Sequence, residues 1–199
     1  MNFTGFTAQR VNTLRGDIAS AGKLAQRCVN RLAFNPSGLD PAISSLLSDM
    51  FGTTGNNANQ LAEIRRRFAA CGPRLMNVNY TFTTRQSTTP SSMGHVAFIE
   101  FNTLMPITKE IFVTPSYFAP ISQPPTASAA TQAPAARQSP RLPLDRVLTL
   151  IHEFIHLFNG QPGHPGGQFA FFMRFALNLN FADAVLNPYS YEGFARYLP

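Results

Sequence analysis

Only two cysteines, Cys28 and Cys71, occur in the 199 residues. They are too few for a disulfide framework and lack C-x-x-C spacing, so the chain suits a reducing compartment or is indifferent to redox state. One bridge between them is the single pairing open to it. No run of about 18 apolar residues free of charge is present, which excludes a membrane-spanning helix and leaves no membrane partner expected. The opening Met1 to Phe6 has no basic start followed by an apolar core, so no Sec-type signal is visible. The expected location is the cytoplasm, or outside the cell by a route that needs no classical signal; a mature form with its leader removed fits the same residues. No internal repeat is evident. Histidine is scarce as well, with four in the chain.

What is present bounds the class. Hydrophobic residues make up 44% and include 18 Phe, enough for a sizeable core in one domain, or in one domain with an appended lobe. The formal charge is +6, with 16 basic residues against 10 acids. That balance would suit an acidic partner or nucleic acid. The arginines are scattered, however, and the one dense run, Arg65-Arg66-Arg67, spreads around a helix as a solvated face. Nucleic acid is therefore not the expected partner.

Two of the four histidines fall in His152-Glu153-Phe154-Ile155-His156, an H-E-x-x-H pentad inside an apolar run of buried-helix composition. Residues four apart lie one turn on, so both imidazoles project from one helix face toward a common ion. Glu153 stands beside them, placed to take a proton from a metal-activated water and hand it to a leaving amine. Burying two imidazoles and a carboxylate on an apolar helix is costly without a partner, and a metal is the economical one.

Around the pentad, apolar residues at three- and four-residue steps predict a helix from Ala8 to Phe34. Asp40-Pro41 reads as a cap and first helical residue of a helix through Met50, and a third helix spans Asn57 to Ala70, stopping at Gly72-Pro73. The period then changes to two. Val78, Tyr80 and Phe82, then residues 95–101, then Glu110 to Val113 predict three strands. Residues 119–141, rich in Pro, Ala, Ser and Thr, read as a flexible loop: a lid, a segment ordered on binding, or a disordered insertion. The pentad helix covers Asp145 to Asn159, a Pro/Gly-rich turn Gly160 to Gly167, another helix Gln168 to Asn180, and a last one runs from Tyr189 or Ser190 to Leu198. A helical region (1–74) before a sheet-and-helix region (75–199), within one compact domain, is an α+β arrangement.

Catalytic zinc usually takes three protein ligands, so one more group is required. His164 follows the pentad across Gln161-Pro162-Gly163; Glu192, Asp183 and the distant His95 are the alternatives. Glu192 has two further readings, as the wall of a substrate pocket or as a helix carboxylate pairing with Arg196 four residues on.

The stretch Ala184 to Ala195 resembles the Asn-Ala-Asp-Ser-Tyr-x-x-Phe-Ala segment that follows H-E-x-x-H in deuterolysin-like, or aspzincin, metallopeptidases, with a similar spacing from the pentad. Residues Lys109 to Phe118 are similar to that family's Ile-x-x-Cys-x-x-Phe-Phe stretch. The resemblance covers roughly residues 75 to 198. It implies a zincin-like fold, zinc on His152 and His156, and Glu153 as catalytic base. The family's third ligand is an Asp in a Gly-Thr-x-x-Asp turn, whose place is taken here by His164. Its zinc-orienting Asp falls at Tyr189, and its oxyanion Tyr has no counterpart in Pro165 to Gln168; Tyr189 and Tyr191 are the substitute catalytic donors the sequence offers. In lysine-selective members an acidic residue at the place of Glu192 holds the substrate's side chain, whereas the similar Glu-Gly-Phe-Ala-x-Tyr helix of gluzincin aminopeptidases uses its Glu as a zinc ligand.

The expected function is a zinc metallopeptidase acting on a peptide or protein substrate. Two other readings stay open: a catalytically impaired zincin-fold binding protein, and a secreted effector or toxin peptidase.

Overall fold

In a computed structural model, which describes residues 1–33, 38–77, 80–85, 97–98, 110–118, 144–161, 164–165 and 180–199, the helical stripe of the first third becomes α1 (Ala8–Arg31). Thr7 caps it by accepting from the Arg10 amide, and Leu14, Ile18, Ala21, Ala25 and Cys28 form its buried edge. Helix α2 (Pro41–Phe51) starts as the sequence implies: Asp40 accepts from the Ala42 amide at 2.8 Å, and Gly52 ends it at φ +69°.

Helix α3 (Ala58–Leu75) differs from expectation, because Gly72-Pro73 lies inside it. Pro73 falls in the last turn, where its missing N–H costs one bond to the preceding turn, and the Met76 amide still closes on Gly72 O at 3.1 Å. Gly72 is a contact point rather than a stop. A Cβ there would come within 3.2 Å of the Gly22 Cα, so the backbones of α1 and α3 touch where neither has a side chain. The arginine run is also not wholly solvated. Arg67 is buried, donating to Asn159 Oδ1 at 2.9 Å, and the Arg66, Arg67 and Arg74 guanidiniums lie 5.0, 5.3 and 4.9 Å from the centre of the Phe158 ring.

The sheet has four strands in the order β1-β2-β4-β3, comprising β1 (Asn2–Thr4), β2 (Thr81–Thr84), β3 (Ala97–Phe98) and β4 (Glu110–Val113). The pairs β1–β2 and β2–β4 are parallel, and β3–β4 is antiparallel. Strand β1 is additional to the three expected. Three residues are too few to show alternation; what secures them is pairing with β2 and the stack of Phe3 on Phe82, at 5.6 Å and 21°. His95, the rest of the 95–101 strand, the 119–141 loop and residues 168–179 of the helix expected to end at Asn180 lie outside the described residues.

Helix α4 (Leu144–Asn159) carries the pentad and rests on α1. Its first turn is tied down by Arg146, whose Nε donates to Asp17 Oδ2 of α1 at 2.9 Å. The Tyr117 hydroxyl, from the short 3-10 turn Pro115–Phe118, donates to the same oxygen at 3.1 Å. Burial first, and then the Asp17 charge, push that hydroxyl well above its ordinary range, so it remains a donor. Beyond α4 come α5 (Phe181–Ala184) and α6 (Pro188–Tyr197). Phe51 and Phe68 pack against Tyr191 and Phe194 of α6, joining the N-terminal helices to the C-terminal one in a single buried cluster. Mixed helices and a small sheet make the chain α+β. No helix among the described residues is long and apolar enough to cross a membrane.

Replacing Asp17 by Ala removes the shared acceptor of Arg146 and Tyr117. Urea unfolding of Asp17→Ala is expected to show a loss of about 2–3 kcal/mol with an unchanged slope. Both cysteines are buried free thiols, and burial pushes Cys28 from its ordinary 9.0 up to about 12 and Cys71 likewise upward. A thiol reagent at neutral pH should therefore modify neither in the native protein and both in denaturant. The folded chain keeps protons that unfolded thiols release, so this contribution is complete below pH 9.0 and is lost as pH rises toward about 12, which alkaline unfolding will register.

Candidate metal centre

Helix α4 is apolar on nearly every side: Val147, Leu148, Leu150, Ile151, Phe154, Ile155 and Leu157 are all buried. His152, Glu153 and His156 are buried among them, at 7%, 6% and 5% exposure. The helix ends at Gly160, which takes φ +68° and donates its N–H to His156 O at 2.9 Å. That left-handed residue turns the chain back along the helix it has just left. His164 thereby returns to the histidines of α4.

The three rings meet through one nitrogen each. His164 Nε2 lies 3.0 Å from His152 Nε2 and 3.1 Å from His156 Nε2, and the three ligand atoms lie within 4.8 Å of one another. Nitrogens bonded tetrahedrally to one ion at 2.0–2.1 Å stand about 3.3 Å apart, close to the two separations from His164. The outer nitrogens fix the tautomers. His156 Nδ1 faces Gln161 O at 3.1 Å, and a carbonyl only accepts, so Nδ1 carries the hydrogen and Nε2 presents its lone pair inward. His152 Nδ1 faces Glu192 Oε2 at 3.3 Å, which places the hydrogen on the same side. Neutral His164 has one N–H at most and cannot satisfy two inward lone pairs. A cation can, and the three histidines are close enough to bind a metal ion.

Glu192 of α6 does not join the ligand atoms. It faces the outer nitrogen of His152 and accepts from Arg196 Nη2 at 3.3 Å, as the i, i+4 reading expects. The contact with His152 is long for a hydrogen bond, and the carboxylate favours the tautomer of the neutral ring that carries its hydrogen on Nδ1. Burial alone would raise the Glu192 carboxyl; His152 and Arg196 outweigh it and hold it low. Where the resemblance expects an orienting Asp the chain has Tyr189, and Glu192 supplies a carboxylate to His152 from three residues further on. Glu153 is different. Burial pushes its carboxyl up to about 7, with His152 opposing and Glu192 reinforcing. A dication on the three nitrogens would draw it back down.

Tyr189 stands against the cluster. Its ring stacks on His164 at 4.7 Å and 24° and meets His152 edge-on at 4.5 Å. Burial, then the charges of Glu192 and Glu153, raise its hydroxyl, which keeps its proton. Tyr191, the other substitute donor, is corrected by the structure. It is fully buried away from the imidazoles, its ring packed on Phe51 and Phe68 and its hydroxyl donating to Val185 O at 3.0 Å. The helical period turns residue 191 about 200° from 189, into the core. Asp183 is likewise occupied elsewhere, paired with Asn180 at the start of α5.

Two side chains were missed. Asn187 caps α6 by accepting from the Tyr189 amide at 3.0 Å and donates to Pro165 O at 3.1 Å. Asn159 donates to Leu186 O at 2.8 Å. The signal for Asn187 was present, since Asn187-Pro188 is the same cap-then-proline pair as Asp40-Pro41. No protein-family model matches the chain, and no curated protein matches it.

Tyr191→Phe removes only the bond to Val185 O. It should cost about 1–2 kcal/mol in thermal or urea unfolding while metal uptake stays at the wild-type level; a loss of metal would return Tyr191 to the site.

Proposed function

We propose that the protein is a zinc-dependent peptidase of zincin type, related to the deuterolysin-like enzymes, with His152, His156 and His164 as the zinc ligands. The observation that carries this is the convergence of three Nε2 atoms at the pentad, with Glu153 buried beside them. Three neutral imidazoles suit zinc, copper, iron or nickel in principle, and the H-E-x-x-H frame favours zinc.

Zinc bound there supplies Lewis acidity toward a peptide carbonyl and toward water. The chain's own groups do the rest. Gln161 O and the Glu192 carboxylate hold His156 and His152 with their lone pairs inward. Glu153 accepts a proton at its carboxylate from the attacking water and returns it to the amine that leaves. Tyr189 covers the His152–His164 side, limiting water there and keeping the rings in place. The substrate is a peptide or protein.

Elemental analysis of purified wild type, His156→Ala and His164→Ala tests the ligand set, and Glu153→Gln tests the chemistry. One zinc per chain in wild type, lost in both histidine variants, is expected. Glu153→Gln should keep zinc while hydrolysis of a peptide library falls ~100- to 10,000-fold. Zinc retained by His164→Ala would remove that residue from the set, and no uptake by wild type would overturn the proposal. Zinc bound with no hydrolysis by wild type would leave a metal-holding binding protein.

A further inference from the structure

His152 and His156 are set by the helix that carries them, but His164 stands outside any helix or strand. A ligand on such a segment needs its orientation supplied by neighbours, because ligand geometry must hold to a fraction of an ångström. Among the described residues, two contacts from the start of α6 contribute to it. Asn187, at 1% exposure, donates from Nδ2 to the carbonyl of Pro165, the residue after His164. Its Oδ1 accepts the Tyr189 N–H, and the Tyr189 ring lies flat on the His164 imidazole. One amide thus joins the helix start, the stacking ring and the histidine segment.

Behind this sits a second fastening. Asn159, the last residue of α4, donates to Leu186 O and accepts from Arg67 of α3. The turn before α6 is therefore held to the end of the pentad helix, which keeps Asn187 at the correct distance from Pro165.

We propose that Asn187 and Tyr189 are positioning residues for His164, forming a latch by which the docked α6 brings the third imidazole to the other two. This rests on the metal-site reading above. The ligand atoms themselves come from the three histidines. Their effect is transmitted through His164: the latch keeps its ring from leaving, so metal affinity depends on a residue 23 positions further along the chain.

The test separates the latch from the helix cap. Asn187→Ser and Asn187→Asp both keep an oxygen for the Tyr189 N–H and both lack the donor to Pro165. In metal-free protein, the His164 ring protons, identified by their absence in His164→Ala, should be displaced upfield by the face of Tyr189. That displacement should persist in Tyr189→Phe, disappear in Tyr189→Leu and shrink in both Asn187 variants. Zinc affinity, measured against a chromophoric chelator, should fall ~10- to 100-fold in Tyr189→Leu and the Asn187 variants and stay near wild type in Tyr189→Phe. Urea unfolding identifies any variant that has lost its fold; should both Asn187 variants do so, the Phe and Leu pair at 189 decides alone. Wild-type ring shifts and wild-type zinc affinity in Asn187→Ser and Asn187→Asp would overturn the latch. A wild type that takes up no zinc would defeat the metal reading, while the ring shifts would still judge the latch.

Discussion

Burying His152, Glu153 and His156 on a helix that is otherwise apolar is the constraint from which the surrounding arrangement follows. Each of these groups would cost several kcal/mol if left unpaired in an apolar interior. The fold answers for each imidazole separately: a backbone carbonyl at His156, a carboxylate from α6 at His152, and a third ring that brings their inner nitrogens together. Those inner nitrogens face one another closely enough for one ion to bridge them. A site of this kind ties ion binding to folding, because the fold must bring the three ligand atoms together before one ion can bridge them.

That cost requires a rigid frame. Helix α4 is fixed at its first turn by Asp17 through Arg146 and at its last through Asn159, so both ends are held by side-chain bonds while the middle is held by packing. The touching backbones of Gly22 and Gly72 keep α1 and α3 close beneath it. Phe51, Phe68, Tyr191 and Phe194 do the same for α6, the element that delivers Glu192 and Tyr189. Support and site are thus separate in kind: aromatic and aliphatic contacts set where α6 lies, and two of its residues, Tyr189 and Glu192, meet the histidines.

Much of this was legible in the residues, for physical reasons that can be named. The pentad fixes two nitrogens because a helix fixes the i, i+4 relation, and His164 was reachable because a glycine stood where the chain had to reverse. Caps announced α2 in the same way. Glu192 was harder: its spacing to Arg196 was readable, but its approach to His152 depends on how α6 docks, which no local pattern encodes. Tyr191 was misjudged because proximity in sequence to Tyr189 says nothing about which side of the helix is buried. Gly72-Pro73 looked like a terminus because both residues usually end helices; an interhelical contact and a position in the last turn removed the reason for stopping. Strand β1 and the inward turn of Arg67 both come from partners far along the chain.

Among the described residues, the side chains placed at the histidines come from residues 152–192, whereas the helices that carry α4 and α6 from beneath lie in residues 8–75. During synthesis from the N-terminus the supports therefore leave the ribosome first and can pack α1 against α3 while the pentad is still being made. The docked three-histidine arrangement has to wait for α6, the last helix described. In the interval the nascent chain holds an H-E-x-x-H segment without its third imidazole in place. Chain order alone thus sets the order of assembly, with the frame first and the three-histidine site last.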